Sequence, residues 1–189
     1  VTPAEVRRLE APLVRRTFPK PGLPQPVIES PLQPPGPRDF AFWQKEAVEY
    51  NEMLLTLLPE RLAEIDAVAP RLHLTPQQVE RLKRWQVNYV NLTVSTRSSI
   101  TTEPELDRAS GESVTIYAAH AKAEIRLLGR DTFVRYLKLK SADEEGGLDQ
   151  VDDNGDLLPG GNVAIQMFRK DVGQQQYPDT SKFDPYFTD

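Results

Sequence analysis

The residues with the most evident chemical promise lie in "DQVDDNGDLLPGG", positions 149–161. Asp152, Asn154 and Asp156 alternate around Gly155. Hard oxygen donors at every second position of a glycine-bearing loop are how a calcium loop begins. With Gly155 set at the sixth place of the twelve-residue EF-hand pattern, Gln150 takes the first place and Gly161 the last, so both end ligands are missing. A looser calcium site would draw on Asp149, Asp152, Asn154 and Asp156. The competing reading is a turn, because Asn-Gly is a favoured two-residue hairpin connection. The turn signal is complete and the metal signal is not. A turn is therefore expected and no cofactor is assigned, with Ca2+ kept as the alternative.

Other reactive residue types are sparse. The chain has no cysteine, which excludes disulfides, thiol catalysis, zinc–thiolate sites and iron–sulfur clusters. Its two histidines, His73 and His120, lack the second histidine a His-x-x-x-Glu metal site needs, and both are expected to be structural, exposed or partly buried. No Gly-x-Ser-x-Gly elbow, phosphate-binding loop or dinucleotide fingerprint occurs. In "ERLKRWQ", residues 80–86, Arg81, Lys83 and Arg84 flank Trp85. Basic residues beside an aromatic can bind nucleic acid, but Trp85 falls on the apolar face of its helix and is expected in the core.

The elements that must carry these residues follow from periodicity. From Asp39, a helix N-cap, Phe40, Trp43, Ala47, Tyr50, Leu54 and Leu57 recur at helical spacing. Pro59 is expected to kink or end that helix, with a second piece running from Glu60 to about Val68. "LTPQQVERLKRW" is the clearest helix start, with Thr75 as cap and Pro76 at the first position. Residues 95–112 read as a long connection, with at most a short helix after Thr102. A further helix is expected from about Glu112 to Leu128, with Val114, Tyr117, Ala118, Ala121, Ile125 and Leu128 as its apolar stripe and Gly129 ending it. Asp131 then caps a short helix.

Both ends differ from this body. Ten of the 17 prolines lie in residues 1–39, which favours an extended arm over helix or central strand. Charge is also uneven: residues 1–39 carry net +2, residues 40–140 net +1 and residues 141–189 net −8. An acidic end repels phosphates, so nucleic acid is not an expected partner. In the C-terminal extension "NVAIQMF" alternates like a strand, and with the Asn-Gly turn it suggests a short β-hairpin. No apolar run approaches the roughly 20 residues of a membrane span. The chain begins with Val1 rather than Met, consistent with loss of either the initiator or a targeting segment.

The expected fold is mainly α: a bundle of three or four helices over residues 40–140, a proline-rich arm over 1–39 and an irregular acidic extension over 141–189. The expected function is that of a non-catalytic subunit of a larger assembly, soluble or peripherally attached to a membrane complex, in an organelle, bacterium or virion. Its partners would be other protein subunits. Its docking residues would be Arg7, Arg8, Arg15, Arg16 and Phe18 in the arm and Tyr177, Phe183, Tyr186 and Phe187 near the C-terminus. The alternative is a calcium-binding or ligand-regulated helical domain using loop 149–156.

Overall fold

The computed structural model describes residues 40–98, 100–161 and 178–188. The arm, "NVAIQMF" and Tyr177 lie outside them. Four helices make up the body: α1 (Phe40–Val68), α2 (Pro76–Arg97), α3 (Glu103–Leu128) and α4 (Arg130–Glu144). Single 3-10 turns sit at Pro70–Leu72, Leu148–Gln150 and Asp184–Phe187.

The helix that Pro59 was expected to interrupt runs on as one 29-residue element. A proline removes one N–H, and the carbonyl left without its donor belongs to Leu55 four residues earlier. Leu55 and Pro59 are both exposed, so the proline sits on the solvent side of the helix, where a freed carbonyl is least costly. At the junction to α2, His73 takes a left-handed conformation (φ 51°) and its backbone N–H donates to the Pro70 carbonyl. It is an exposed turn residue.

The start of α2 follows the sequence. The Gln78 N–H donates to Thr75 Oγ1 at 3.2 Å, and the Thr75 N–H donates to Gln78 Oε1 at 2.9 Å, closing a capping box around Pro76. The same device begins α3 nine residues ahead of the expected start. Thr102 caps it, and Glu105 accepts from the backbone N–H groups of Thr101 (2.7 Å) and Thr102 (3.1 Å). These bonds favour the ionised Glu105 and hold its carboxyl below the usual range. The expected long connection thus shrinks to residues 98–102. Its polar stretch "RASGES" hid a helix that is half exposed there, where only Ala109 is fully covered.

Side-chain contacts set the order of packing. Gln44 donates to the Ile100 carbonyl, Asn51 to that of Val94, and Lys83 pairs with Asp66, so α1 and α2 are antiparallel. Arg97 meets Ser113, and Tyr89 meets Tyr117 and His120, so α2 and α3 are antiparallel too. The α4 ion pairs to α1 fall at Arg61 and Glu64. With 29 and 15 residues, α1 is roughly 43 Å long and α4 roughly 22 Å. The fourth helix can cover only about half of the first.

The core has two centres. One joins Ile65, Val68, Leu82, Phe133, Tyr136 and Leu139, with Val151 from the loop after α4. The other joins Trp85, Ile116, Ala119 and Ala123 with Phe183 and Phe187 from the C-terminal segment. Because α3 is covered on two sides, its buried face is wider than the expected stripe: Ala118 and Ala121 of that stripe are buried, and further residues join them. Ile116, Ala119, His120 and Ala123 are inside, and Val114 is 61 % exposed.

The strand "NVAIQMF" of the expected β-hairpin lies outside the described residues. Val151 and Leu157 make one isolated antiparallel bridge around an Asn-Gly turn in which Gly155 has φ 78°. Arg71 anchors this loop by donating to the carbonyls of Leu148 and Val151.

Candidate functional site

A cavity of about 320 Å³ opens in the middle of the bundle, and all four helices line it. Helix α1 supplies Tyr50, Met53, Leu54, Leu57 and Arg61, and α2 supplies Gln86, Tyr89 and Val90. Helix α3 supplies Tyr117, His120, Ala121 and Glu124 at three- and four-residue steps, which place them on one face. Helix α4 supplies Phe133, Leu137, Lys140 and Glu144. One wall is apolar, one phenolic and one charged.

The charged wall is an ion-pair network. Arg61 bridges Glu64 at 3.1 Å and also Glu144, and Lys140 stands 3.9 Å from Glu64. Glu64 is buried, and burial pushes its carboxyl up despite Lys140 and Arg61, which pull it down. Desolvation therefore outweighs the pairing at this carboxylate.

Helix α3 brings a second buried acid to the cavity. Glu124 is 5 % exposed, and among the described residues its one ion-pair neighbour is His120, with Nε2 3.4 Å from Oε1. Burial pushes the His120 pKa down, Glu124 opposes that, and Lys140 adds to it. The balance favours the neutral ring. His120 stacks on Tyr89 (5.2 Å, 17°) and lies 5.3 Å from Phe187. Its Nε2 and the Tyr136 hydroxyl are both buried, and both face the Glu124 carboxyl, Nε2 at 3.4 Å and the hydroxyl as a hydrogen-bond neighbour. Burial raises the Tyr136 phenol well above its usual range, with Glu124 and Glu64 adding to the effect, and Tyr89 is pushed up to about 12, mainly by burial.

His120 was expected to be exposed or partly buried, and it is buried instead. Its register against Ala118 and Ala121 puts it outside a single-stripe reading, but a second layer, made of α2 and the C-terminal segment, covers it. The usable sequence signal was the four-residue step from His120 to Glu124 on a helix otherwise lined with alanines.

Of the four residues named as alternative calcium ligands, Asp149 and Asn154 are exposed, while Asp152 and Asp156 have partners within the chain. Asp152 Oδ1 accepts from the Asn154 N–H (2.8 Å) and the Asp156 N–H (3.0 Å), which holds its pKa down. Asp156 pairs with Lys138 at 2.8 Å and Asp153 with Arg71 at 3.3 Å. Among the described residues, no group of three or more His, Asp or Glu side chains gathers where it could hold a metal ion.

The residues expected to dock partners divide. Arg7, Arg8, Arg15, Arg16, Phe18 and Tyr177 lie outside the described residues. Phe183 (5 % exposed) and Phe187 (2 %) are buried in the chain's own core, so neither offers its ring to a partner. Lys122 holds their segment through Thr180 (3.0 Å) and Asp184 (2.8 Å), and Asn88 donates to the Tyr186 carbonyl. Tyr186 itself is 51 % exposed.

Exposed apolar surface gathers on α1. Of the nine large hydrophobic side chains exposed among the described residues, Phe42, Trp43, Val48, Met53 and Leu55 lie in its first 16 positions. Phe42 and Trp43 pack edge to face, their centroids 5.2 Å apart. No helix among the described residues is long and apolar enough to cross a membrane. No protein-family model, curated protein or solved structure matches the chain.

Proposed function

We propose that this chain is a non-catalytic helical subunit of a larger protein assembly, and that the N-terminal half of α1 is a principal docking surface. The observation that carries the reading is the collar of Phe42, Trp43, Val48, Met53 and Leu55. These residues point around the helix rather than along one strip, so a single neighbouring helix of the bundle could not cover them all. Large apolar side chains gathered in one exposed region mark contact sites more often than scattered ones do. The short α4 leaves this half of α1 open. The proline-rich residues 1–39 lead directly into it, so an arm docked on a partner would place this collar against the same partner.

The test uses the full chain in its native source. A triple replacement, Trp43→Ser, Val48→Ser and Leu55→Ser, touches side chains that are all at least 39 % exposed. Helical content should be unchanged, while the chain shifts from the assembly's elution volume to that of a free subunit. Deleting residues 1–39 should weaken incorporation further. Normal incorporation of the triple variant would remove α1 as a docking surface. Normal incorporation of both would overturn the subunit reading.

A further inference from the structure

We propose that the groove between the first halves of α1 and α3, beyond the end of α4, takes a basic amphipathic helix of about 14 residues from a partner subunit. This rests on the subunit reading above and names what the α1 surface meets. Two half-covered faces point to it. On α3, Ala121, Ile125 and Leu128 of the expected apolar stripe join the core centre to which α4 contributes Phe133, Tyr136 and Leu139. Val114 and Tyr117, earlier on the same face, are 61 % and 40 % exposed. On α1, three- and four-residue steps lead from Trp43 through Tyr50 and Met53 to Arg61 and Glu64. The α4 ion pairs fall at the last two, while Trp43 and Met53 are 39 % and 44 % exposed.

The open parts of the two faces meet in one groove. A second cavity of about 320 Å³ is lined by Trp43, Glu46 and Tyr50 of α1 and by Leu106, Ala109 and Ser110 of α3. Tyr50 also lines the central cavity, as do Met53 and Tyr117, so the two cavities adjoin along α1. With α1 roughly 43 Å long and α4 roughly 22 Å, roughly 21 Å of the fourth position of the bundle is left open, the length of about 14 helical residues. Aromatic side chains at its two ends, Trp43 and Tyr117, are the residue types that most often anchor such contacts.

Charge selects the occupant. Residues 40–57 hold one lysine and three glutamates, and residues 103–117 hold one arginine and four acids. Glu46 lines the groove, and Glu103 and Asp107 precede Val114 and Tyr117 on the same face of α3. The nearby cations are engaged: Lys45 pairs with Glu49 at 3.3 Å, and Arg97 lies over the Tyr50 ring and donates to Ser113. An apolar inner face flanked by lysine or arginine complements this surface, whereas acidic flanks would meet like charge. The docked helix covers Trp43 and Met53. Val48 and Leu55 fall on the opposite side of α1 and remain for other contacts.

The probe is a labelled 14-residue synthetic helix with leucine at helical spacing and lysine elsewhere, compared with its glutamate counterpart by fluorescence anisotropy against the full chain. The lysine peptide should bind about 10-fold more tightly, a preference that shrinks as salt is raised. The α3 double variant, Val114→Ser with Tyr117→Ser, should weaken it about 10- to 100-fold. Val48→Ser with Leu55→Ser should leave it unchanged. No binding, equal binding of the two peptides, or binding that survives the α3 double variant would each overturn the proposal. Binding that appears only after residues 1–39 are deleted would give the groove to the chain's own arm. A dimer seen by sedimentation and abolished by the α3 double variant would give it to a second copy. Either result overturns a partner helix. In the native source, normal incorporation of the α3 double variant beside lost incorporation of the α1 triple variant would overturn the groove alone and leave the α1 docking reading standing.

Discussion

Replacing Phe187 by alanine tests the most consequential packing in the molecule, the seating of the C-terminal segment on α2 and α3. Phe187 is 2 % exposed, closes over the second core centre beside Trp85 and Ala123, and lies 5.3 Å from His120. A phenylalanine deleted from a rigid core costs about 3–5 kcal/mol. Here the segment has another option, because it is short and terminal to the described core and can detach locally before the helices separate. The cost is then capped near the burial of the ring itself, about 1.5–3 kcal/mol. The pairs around it add little: Lys122 and Asp184 are 48 % and 27 % exposed, and such pairs contribute about 0–1 kcal/mol. Urea unfolding followed by circular dichroism should show that loss as a lower midpoint. Tryptophan emission in a Trp43→Phe background reports Trp85 alone, and it should shift to the red before the helices melt. An unchanged midpoint together with unshifted Trp85 emission would mean that Phe187 is not seated in the core, and the account of that core centre would fall.

Two further outcomes are expected. Gly155→Ala should destabilise the chain by about 1–3 kcal/mol, read as a lower urea midpoint, because Gly155 has φ 78° and a Cβ there would lie 2.4 Å from Lys138 Cβ. The buried His120 has a folded pKa below its unfolded value, with Glu124 and Lys140 as the charged groups facing it. The unfolded chain therefore takes up the proton first. The stability this ring contributes is complete above the unfolded pKa of about 6.5 and is lost as pH falls through the folded value. His120→Phe should flatten that slope of the stability-versus-pH curve, and an unchanged slope would assign it to other groups.

Much of the fold was legible before any coordinates. The α2 start was read to the residue, because Thr75, Pro76 and Gln78 form a local device that no distant contact can move. The Thr102 box is equally local, but it was read as opening at most a short helix because the residues after it are polar; how far a helix runs is visible only when an apolar repeat is visible behind its cap. Pro59 shows the opposite limit. Its effect depends on whether the freed Leu55 carbonyl meets water or protein, and only the packing of α1 decides that.

The candidate site was legible in its parts and not in its assembly. Periodicity put Tyr50, Tyr89 and Tyr117 on inward faces, but nothing local brings Arg61 to Glu144 or Glu124 to the side of Tyr136. Those meetings cross helices, and the tertiary structure sets them through the short α4. Phe183 and Phe187 illustrate the same point: the sequence by itself marks them as aromatic anchors, but it carries no local signal of what they anchor to. By itself the sequence determined that the body is helical and where α2 begins, since these depend on hydrogen bonds and spacing within a few residues. The tertiary structure alone decided that the anchors fold back onto their own chain and that Glu124 is buried beside His120 and Tyr136, because both depend on which surfaces are covered once the helices are packed.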